Sequence, residues 1–173
     1  MDASSVFKDS LPTLPEALLD TLTSLNIDFT IHRHPPLRTV EDAKALRGDM
    51  IGAHIKNLYL RDRKKHNFLL VVQEDQLIDL KALGAQIGSD RLSFGSADRL
   101  FEFLGVRPGA VSPFALINDP DQRVKLILDA ELVNQLCLYA HPLVNDMTLG
   151  IKGADLMRFF VHTGHRPQLL GFG

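Results

Sequence analysis

GAHIKNLYLRD (residues 52–62), followed by RKKHNFLLVVQ (63–73), is the stretch that decides the fold. Asn57–Arg61 and Asn67–Gln73 read as two strands joined through the basic turn Asp62–His66, a hairpin. Side chains two apart in a strand share a face, so Lys56, Leu58 and Leu60 point the same way. If the leucines face a core, a lysine faces it with them. Its plain reading is a strand-end lysine whose stem lies on the core while the ammonium reaches water.

Outward from the hairpin, the chain alternates helical and extended signals. Residues 14–25 place Leu14, Leu18, Leu22 and Leu25 near helical spacing, with Thr13 to cap and Pro15 in the first turn. Phe29–His34 alternates as a strand and stops at Pro35-Pro36. Thr39-Val40-Glu41-Asp42 opens a helix ending at Gly48. Residues 79–87 and 96–104 read as helices, the second capped by Ser96 and closed by Gly105. Phe114–Asn118 and Lys125–Asp129 read as strands about an Asp119–Gln122 turn. Leu136–Leu143 and Met147–Lys152 read as a second hairpin, and Leu156–Thr163 as a last helix. Strands outnumber the places where a helix could link parallel neighbours. The expectation is one α+β domain over residues 1–173, with a mixed, largely antiparallel, barrel-like sheet surrounded by helices.

Composition narrows the function classes. The 173 residues are 45% hydrophobic and 23% charged, with a formal net charge of −2, so any nucleic acid must be held by a local patch. One cysteine, Cys137, allows no intrachain disulfide. The N-terminus lacks the pattern of a signal peptide, and no apolar run is long enough to span a bilayer. The expected location is the cytoplasm, with no membrane partner.

His32-x-His34 and His162-x-x-His165 are possible ligand pairs, but there is no HExxH and no Cys/His quartet with zinc spacing, and no metal or other cofactor is expected. There is no GxSxG, phosphate-cradling loop or dinucleotide fingerprint, and Cys137 lies in an apolar strand. Arg61, Arg63, Lys64 and Lys65 gather at the hairpin turn, where they form either a solvated tip or a phosphate contact. Lys56-Asn57, Gly109 with Ser112-Pro113, and His141 with Asn145 are polar or turn-forming groups in apolar surroundings. Each alone has a local structural reading; together they can line one cleft.

The order of these segments resembles a known family. His32 to Pro36, Lys56-Asn57, Gly109–Pro113 and His141-Pro142-Leu143-Val144-Asn145 are similar to the corresponding segments of freestanding aminoacyl-tRNA editing proteins of the YbaK/ProX type. These are related to the editing domain of bacterial prolyl-tRNA synthetases. The resemblance runs from about Leu14 to Phe172 and is closest to the ProX branch. It implies a trans-editing hydrolase that cleaves the aminoacyl ester of mischarged tRNA(Pro), foremost alanyl-tRNA(Pro). A deacylase for another small amino acid such as cysteine, or a nonenzymatic tRNA-binding module, are the alternatives. The resemblance makes Lys56 and Asn57 catalytic and places Gly109, Ser112, Pro113, His141 and Asn145 at the substrate. Arg61, Arg63, Lys64 and Lys65 are then tRNA contacts, and prolyl-tRNA synthetase a further partner. On this reading Lys56 points inward because the inward face opens into a substrate cleft. Water is the nucleophile, and the lysine is an orienting cation.

Overall fold

The computed structural model describes residues 1–37, 39–48 and 50–172. The elements in chain order are α1 (Pro15–Ser24), β1 (Phe29–Arg33), α2 (Val40–Leu46), β2 (Ala53–Asp62), β3 (Asn67–Gln73), α3 (Leu80–Ile87), β4 (Leu92–Phe94), α4 (Ala97–Leu104), β5 (Val124–Asp129), β6 (Leu138–Ala140), β7 (Met147–Ile151), α5 (Gly153–Thr163) and β8 (Gln168–Leu170). Short 3-10 turns occupy Ser5–Ser10, Pro113–Asn118 and Ala130–Asn134.

The strands form one mixed sheet in the order β1-β7-β6-β2-β3-β5-β8, with β4 on β2 beside that path. Four pairings are antiparallel and three parallel. The α+β class with a mixed, barrel-like but unclosed sheet is as the sequence suggested. β2 and β3 pair from Ile55↔Gln73 to Arg61↔Asn67, so the hairpin is real. Its turn is fixed by Asp62, whose carboxylate accepts from the His66 backbone N–H at 2.8 Å and lies 2.9 Å from His66 Nδ1.

Each pleat face covers its own apolar cluster. Tyr59, Leu69, Val71, Leu126 and Leu128 face the larger core, closed by Leu18 and Leu22 of α1, Leu100 and Leu104 of α4, and Leu156, Phe159 and Phe160 of α5. Leu60, Phe68, Leu70, Val72 and Ile127 face the smaller one, under Leu83 of α3, with Leu58 packed against it.

Several expectations change. β2 begins at Ala53, four residues before the expected start, because Ala53 and His54 pair in parallel with Leu138 and Tyr139 of β6. Lys56 is therefore inside a strand, not at its end. Phe114–Asn118 is a 3-10 turn and not a strand. Pro113 opens it, and Ser112 Oγ accepts from the Phe114 N–H at 3.0 Å. β5 consequently has no hairpin partner there and pairs in parallel with β3 and β8. The second hairpin is shorter, β6 with β7, leaving residues 141–146 as a corner. α1 has no side-chain cap; Thr13 instead donates to Asn118 Oδ1 at 2.5 Å. The short strands β4 and β8 were not foreseen.

His165, two residues past the end of α5, is nearly fully buried and pairs with Asp119, Nε2 to Oδ2 at 2.8 Å. The same carboxylate accepts from the Arg123 and Val124 N–H groups, so it pins the turn before β5 to the end of α5. Among the described residues, no three or more His, Cys, Asp or Glu side chains are grouped to hold a metal ion. No described helix is long and apolar enough to cross a membrane.

Candidate active site

A cleft opens where β6 stops pairing with β2. It has a wide lobe of about 250 Å³ and a narrow lobe of about 70 Å³. Lys56, Gly109 and Val111 border the wide lobe. Met50, His54, Tyr139, Ala140 and Thr148 border the narrow one. Leu37, Ala43, Ile55, Asn57, Glu74 and His141 border both.

The strand pleat explains how neighbouring residues serve this cleft. Lys56 lies opposite Val72 and shares the Leu58/Leu60 face of the smaller cluster. Asn57 turns to the other face, with Ile55 and Tyr59. The leucines are covered beneath α3, whereas Lys56 is half-exposed at the cleft and forms no ion pair among the described residues. Asn57 Oδ1 is buried without a hydrogen-bond partner.

The backbone around them is open too. The Asp62 N–H to His66 C=O bond and the Glu74 N–H to His54 C=O bond turn the even-numbered residues of β2 toward β3. Odd-numbered residues face the other edge. There β6 covers only Ala53 and His54, and β4 resumes at Leu60, with the Gly95 N–H on the Tyr59 carbonyl. The N–H and C=O of Asn57 fall in the gap.

The corner at residues 141–146 forms the opposite wall. Leu143 adopts φ +72°, in the left-handed region, while being buried. That conformation costs roughly 1–2 kcal/mol and is held by the surrounding bonds. Asn145 donates its N–H to the Ala3 carbonyl at 2.8 Å and its Nδ2–H to the Leu37 carbonyl at 2.9 Å, and its own carbonyl accepts from the Leu37 N–H. Asp146 Oδ2 accepts from the Ser5 N–H at 3.2 Å. Gly109 comes so close that a Cβ on it would lie 3.2 Å from Asn145 Nδ2, at φ +94°. Asn145, Ser112 and Pro113 are thus buried frame residues and not lining; Val111 presents a side chain where the Gly109–Pro113 loop meets the cleft.

α2 closes the third side. Thr39 Oγ1 accepts from the Asp42 N–H at 3.0 Å as its cap. Arg47 Nη2 lies 2.6 Å from Glu74 Oε1, an ion contact without aligned hydrogen-bond geometry, and Lys44 Nζ is 2.7 Å from Asp75.

The imidazoles of the cleft have a common arrangement. His141 Nδ1 is 2.8 Å from the Met147 carbonyl, His34 Nδ1 is 2.8 Å from the Pro35 carbonyl, and His54 Nε2 is 2.9 Å from the Met50 carbonyl. A carbonyl only accepts, so each of these nitrogens carries the hydrogen. His34 Nε2 then receives the Thr148 hydroxyl at 2.7 Å. Burial holds the His141 pKa below the ordinary 6.5, against the opposing Met147 hydrogen bond, so the ring is neutral at pH 7. Tyr139 donates to the Ile51 carbonyl at 3.0 Å, and burial with the nearby Cys137 pushes its pKa up to about 12.

The structure brings Lys56, Asn57, Gly109 and His141 together. The basic hairpin tip is elsewhere: Asp62 lies about 20 Å along β2 from Lys56 at ~3.3 Å per residue. Arg63, Lys64 and Lys65 are exposed there, while Arg61 donates to Asn67 Oδ1 and lies over the Phe103 ring with Arg123. Sequence reasoning missed Glu74, Val111, His54, Tyr139 and Thr148. His54, Tyr139 and Thr148 are placed by strand partners far along the chain, Glu74 by the extension of the β2–β3 hairpin to His54, and Val111 by the Gly109–Pro113 loop.

The sequence matches the profile of the aminoacyl-tRNA editing domain over residues 34–159. It is 37% identical over 151 residues to the prolyl-tRNA editing protein ProX of Acetoanaerobium sticklandii, covering 87% of this chain and 92% of that one. It is also 37% identical over 161 residues to the prolyl-tRNA synthetase associated domain-containing protein 1 of Danio rerio, covering 92% and 88%. A solved structure described as a candidate trans-editing enzyme for prolyl tRNA synthetase superposes with a TM-score of 0.68 at 19% identity, covering 92% of this chain and 97% of that one, which shows a shared fold. With a matching profile over most of its length and relatives aligned nearly end to end, this chain belongs to the aminoacyl-tRNA editing domain family.

Proposed function

We propose that the protein is a trans-editing deacylase that hydrolyses the ester of a small amino acid wrongly attached to tRNA(Pro), alanine first and cysteine as the competing choice. The observation that carries this reading is the cleft itself: a cation with no ion pair among the described residues, a gap in strand pairing and a side lobe of only about 70 Å³. Lys56 faces the wide lobe, where an ammonium stabilises the negative charge that develops on the ester oxygen and attracts the terminal phosphates. The unpaired backbone of Asn57 and the Gly109–Val111 loop hold the aminoacyl group without a reactive side chain. No cysteine borders the cleft, the Thr148 hydroxyl is engaged with His34, and the Thr39 oxygen caps α2 without a basic partner to take its proton among the described residues; on this reading water is the attacking group.

Selectivity follows from size. The narrow lobe takes a methyl-sized side chain, and one extra methylene is worth only about 1–3 kcal/mol in a yielding pocket. A rigid wall is required to reject proline, and Pro142 beside His141 together with the bonded 141–146 corner supplies one. The exposed Arg63, Lys64 and Lys65 serve the tRNA stem at a distance, and prolyl-tRNA synthetase is the expected supplier of the mischarged substrate. The whole chain acts as one editing domain, because Ala3 and Ser5 brace the cleft from outside the profile-matched region.

The experiment is a deacylation assay on alanyl-, cysteinyl- and prolyl-tRNA(Pro). Hydrolysis of alanyl-tRNA with prolyl-tRNA spared is the expected result. Preference for the cysteinyl ester selects the other small substrate. Binding without hydrolysis of any ester overturns the enzymatic reading in favour of a tRNA-binding module.

A further inference from the structure

Residues 1–10 touch both walls of the wide lobe from behind. Ser4 is buried, and its N–H and hydroxyl both donate to Asp2 Oδ1, at 2.9 and 2.6 Å, which folds the chain into a turn. The turn leaves the Ala3 carbonyl facing the Asn145 N–H, 2.8 Å away. Ser5 gives its N–H at 3.2 Å and its hydroxyl at 2.5 Å to Asp146 Oδ2, while Asp146 Oδ1 is buried without a partner. The corner is thus held at two successive residues. The other wall is held as well. A Cβ on Gly109 would lie 3.8 Å from the Ala3 methyl, and Arg107 donates to Ser10 Oγ at 2.8 Å and reaches Met1 Sδ at 3.2 Å. Asn145 passes the restraint to Leu37, which borders both lobes, through bonds in both directions.

We propose that this N-terminal segment sets the selectivity of the cleft, by fixing the 141–146 corner against the Gly109–Val111 loop. The inference rests on the deacylase reading and adds to it the element that makes the sieve rigid. Ala3 and Ser5 touch no substrate; they are positioning residues that act through Asn145, Asp146 and Gly109. A yielding pocket separates side chains one methylene apart by only about 10–200-fold, so rejection by size needs a wall that does not give. Residues 141–146 lie outside the β6–β7 ladder, and their stiffness comes largely from bonds to other segments. The buried Leu143 at φ +72° has the same requirement, since such a conformation persists only where its surroundings over-determine it. The Asp146 carbonyl also accepts the His34 N–H at 3.2 Å, so the tie made by Ser5 extends to the end of β1. The profile-matched region begins at residue 34; the sieve is therefore tuned by a segment outside it.

The test measures kcat/KM on alanyl- and prolyl-tRNA(Pro) for the full chain as wild type, Ser5→Ala and Ser5→Thr. Ser5→Ala removes the hydroxyl that donates to the Asp146 carboxylate and is expected to shrink the alanyl-to-prolyl ratio about fivefold, chiefly by raising the prolyl rate. Ser5→Thr keeps a hydroxyl at that place and restores the wild-type ratio. An unchanged ratio in Ser5→Ala, with both rates lowered alike or only the thermal midpoint reduced, makes the segment a plain support; it overturns the inference and leaves the deacylase reading standing. A Ser5→Thr protein that behaves as Ser5→Ala does overturns the part given to the hydroxyl. Failure of the wild type to cleave the alanyl ester at all removes the deacylase reading, and the inference with it.

Discussion

Replacing Lys56 by alanine separates the site's chemistry from its architecture. The residue is half-exposed, and its stem lies at the open end of the smaller cluster, next to Leu58. Three methylenes at ~0.8 kcal/mol each when fully buried, here about half covered, give a stability loss of about 1 kcal/mol. The loss in activity is larger. A unit cation about 4 Å from a full negative charge is worth about 4 kcal/mol at an effective dielectric of ~20. Solvent access to the lysine reduces this to about 3, or two to three decades in rate, the range measured when one oxyanion donor is removed elsewhere. Single-turnover hydrolysis of alanyl-tRNA(Pro) reads the rate, and urea denaturation reads the stability. Lys56→Arg recovers little, because a planar fork does not reproduce a compact ammonium. A natively folded Lys56→Ala protein that keeps its rate within about fivefold refutes an electrostatic role.

Neutralising Arg63, Lys64 and Lys65 together weakens tRNA binding and lowers the log–log salt slope by about two, with little change in the saturated rate; an unchanged slope places the tRNA elsewhere. Gly109→Ala forces a Cβ to 3.2 Å from Asn145 Nδ2 at φ +94° and is expected to cost about 1–3 kcal/mol, read as a lower thermal midpoint and a weakened KM; a midpoint equal to wild type removes the close approach from the account. The His141 pKa is depressed by burial, so the unfolded chain takes up its proton first as pH falls below 6.5. The contribution of the neutral ring is present above 6.5 and is lost as pH falls toward the folded pKa. Urea titrations from about pH 7.5 to about pH 5 are expected to show a fall in stability that is smaller in His141→Gln; parallel curves refute it.

Local signals carried much of the fold. The hairpin was legible because Asn57–Arg61 and Asn67–Gln73 alternate or run apolar about a polar turn. The Ser96 and Thr39 caps and the Gly105 and Gly164 stops sit where their chemistry demands. Phe114–Asn118 misled because apolar content alone does not separate a buried 3-10 turn from a strand; Pro113 behind a Ser cap was the contrary signal. β4 and β8, three residues each, exist through partners distant in sequence. The same limit applies to the site. Lys56, Asn57, Gly109 and His141 could be named from their residue types and order, whereas Glu74, Tyr139 and Thr148 enter through sheet register. Asn145 was assigned to the substrate, but its bonds to Ala3 and Leu37 make it the joint of three segments.

The interruption along the outer edge of β2 also bears on how the protein exchanges hydrogen with solvent. Strand amides in this part of the sheet are locked between neighbours and open only through rare, cooperative unfolding. The Asn57 amide sits among them, yet the register gives it no carbonyl to hold. It is therefore expected to exchange faster than its bonded neighbours in the strand, a natural isotope reporter that needs no added label. A ligand that completes the edge slows that one amide without changing Leu58 or Leu60. The site can thus be followed residue by residue in the native protein, and occupancy distinguished from general stiffening of the fold.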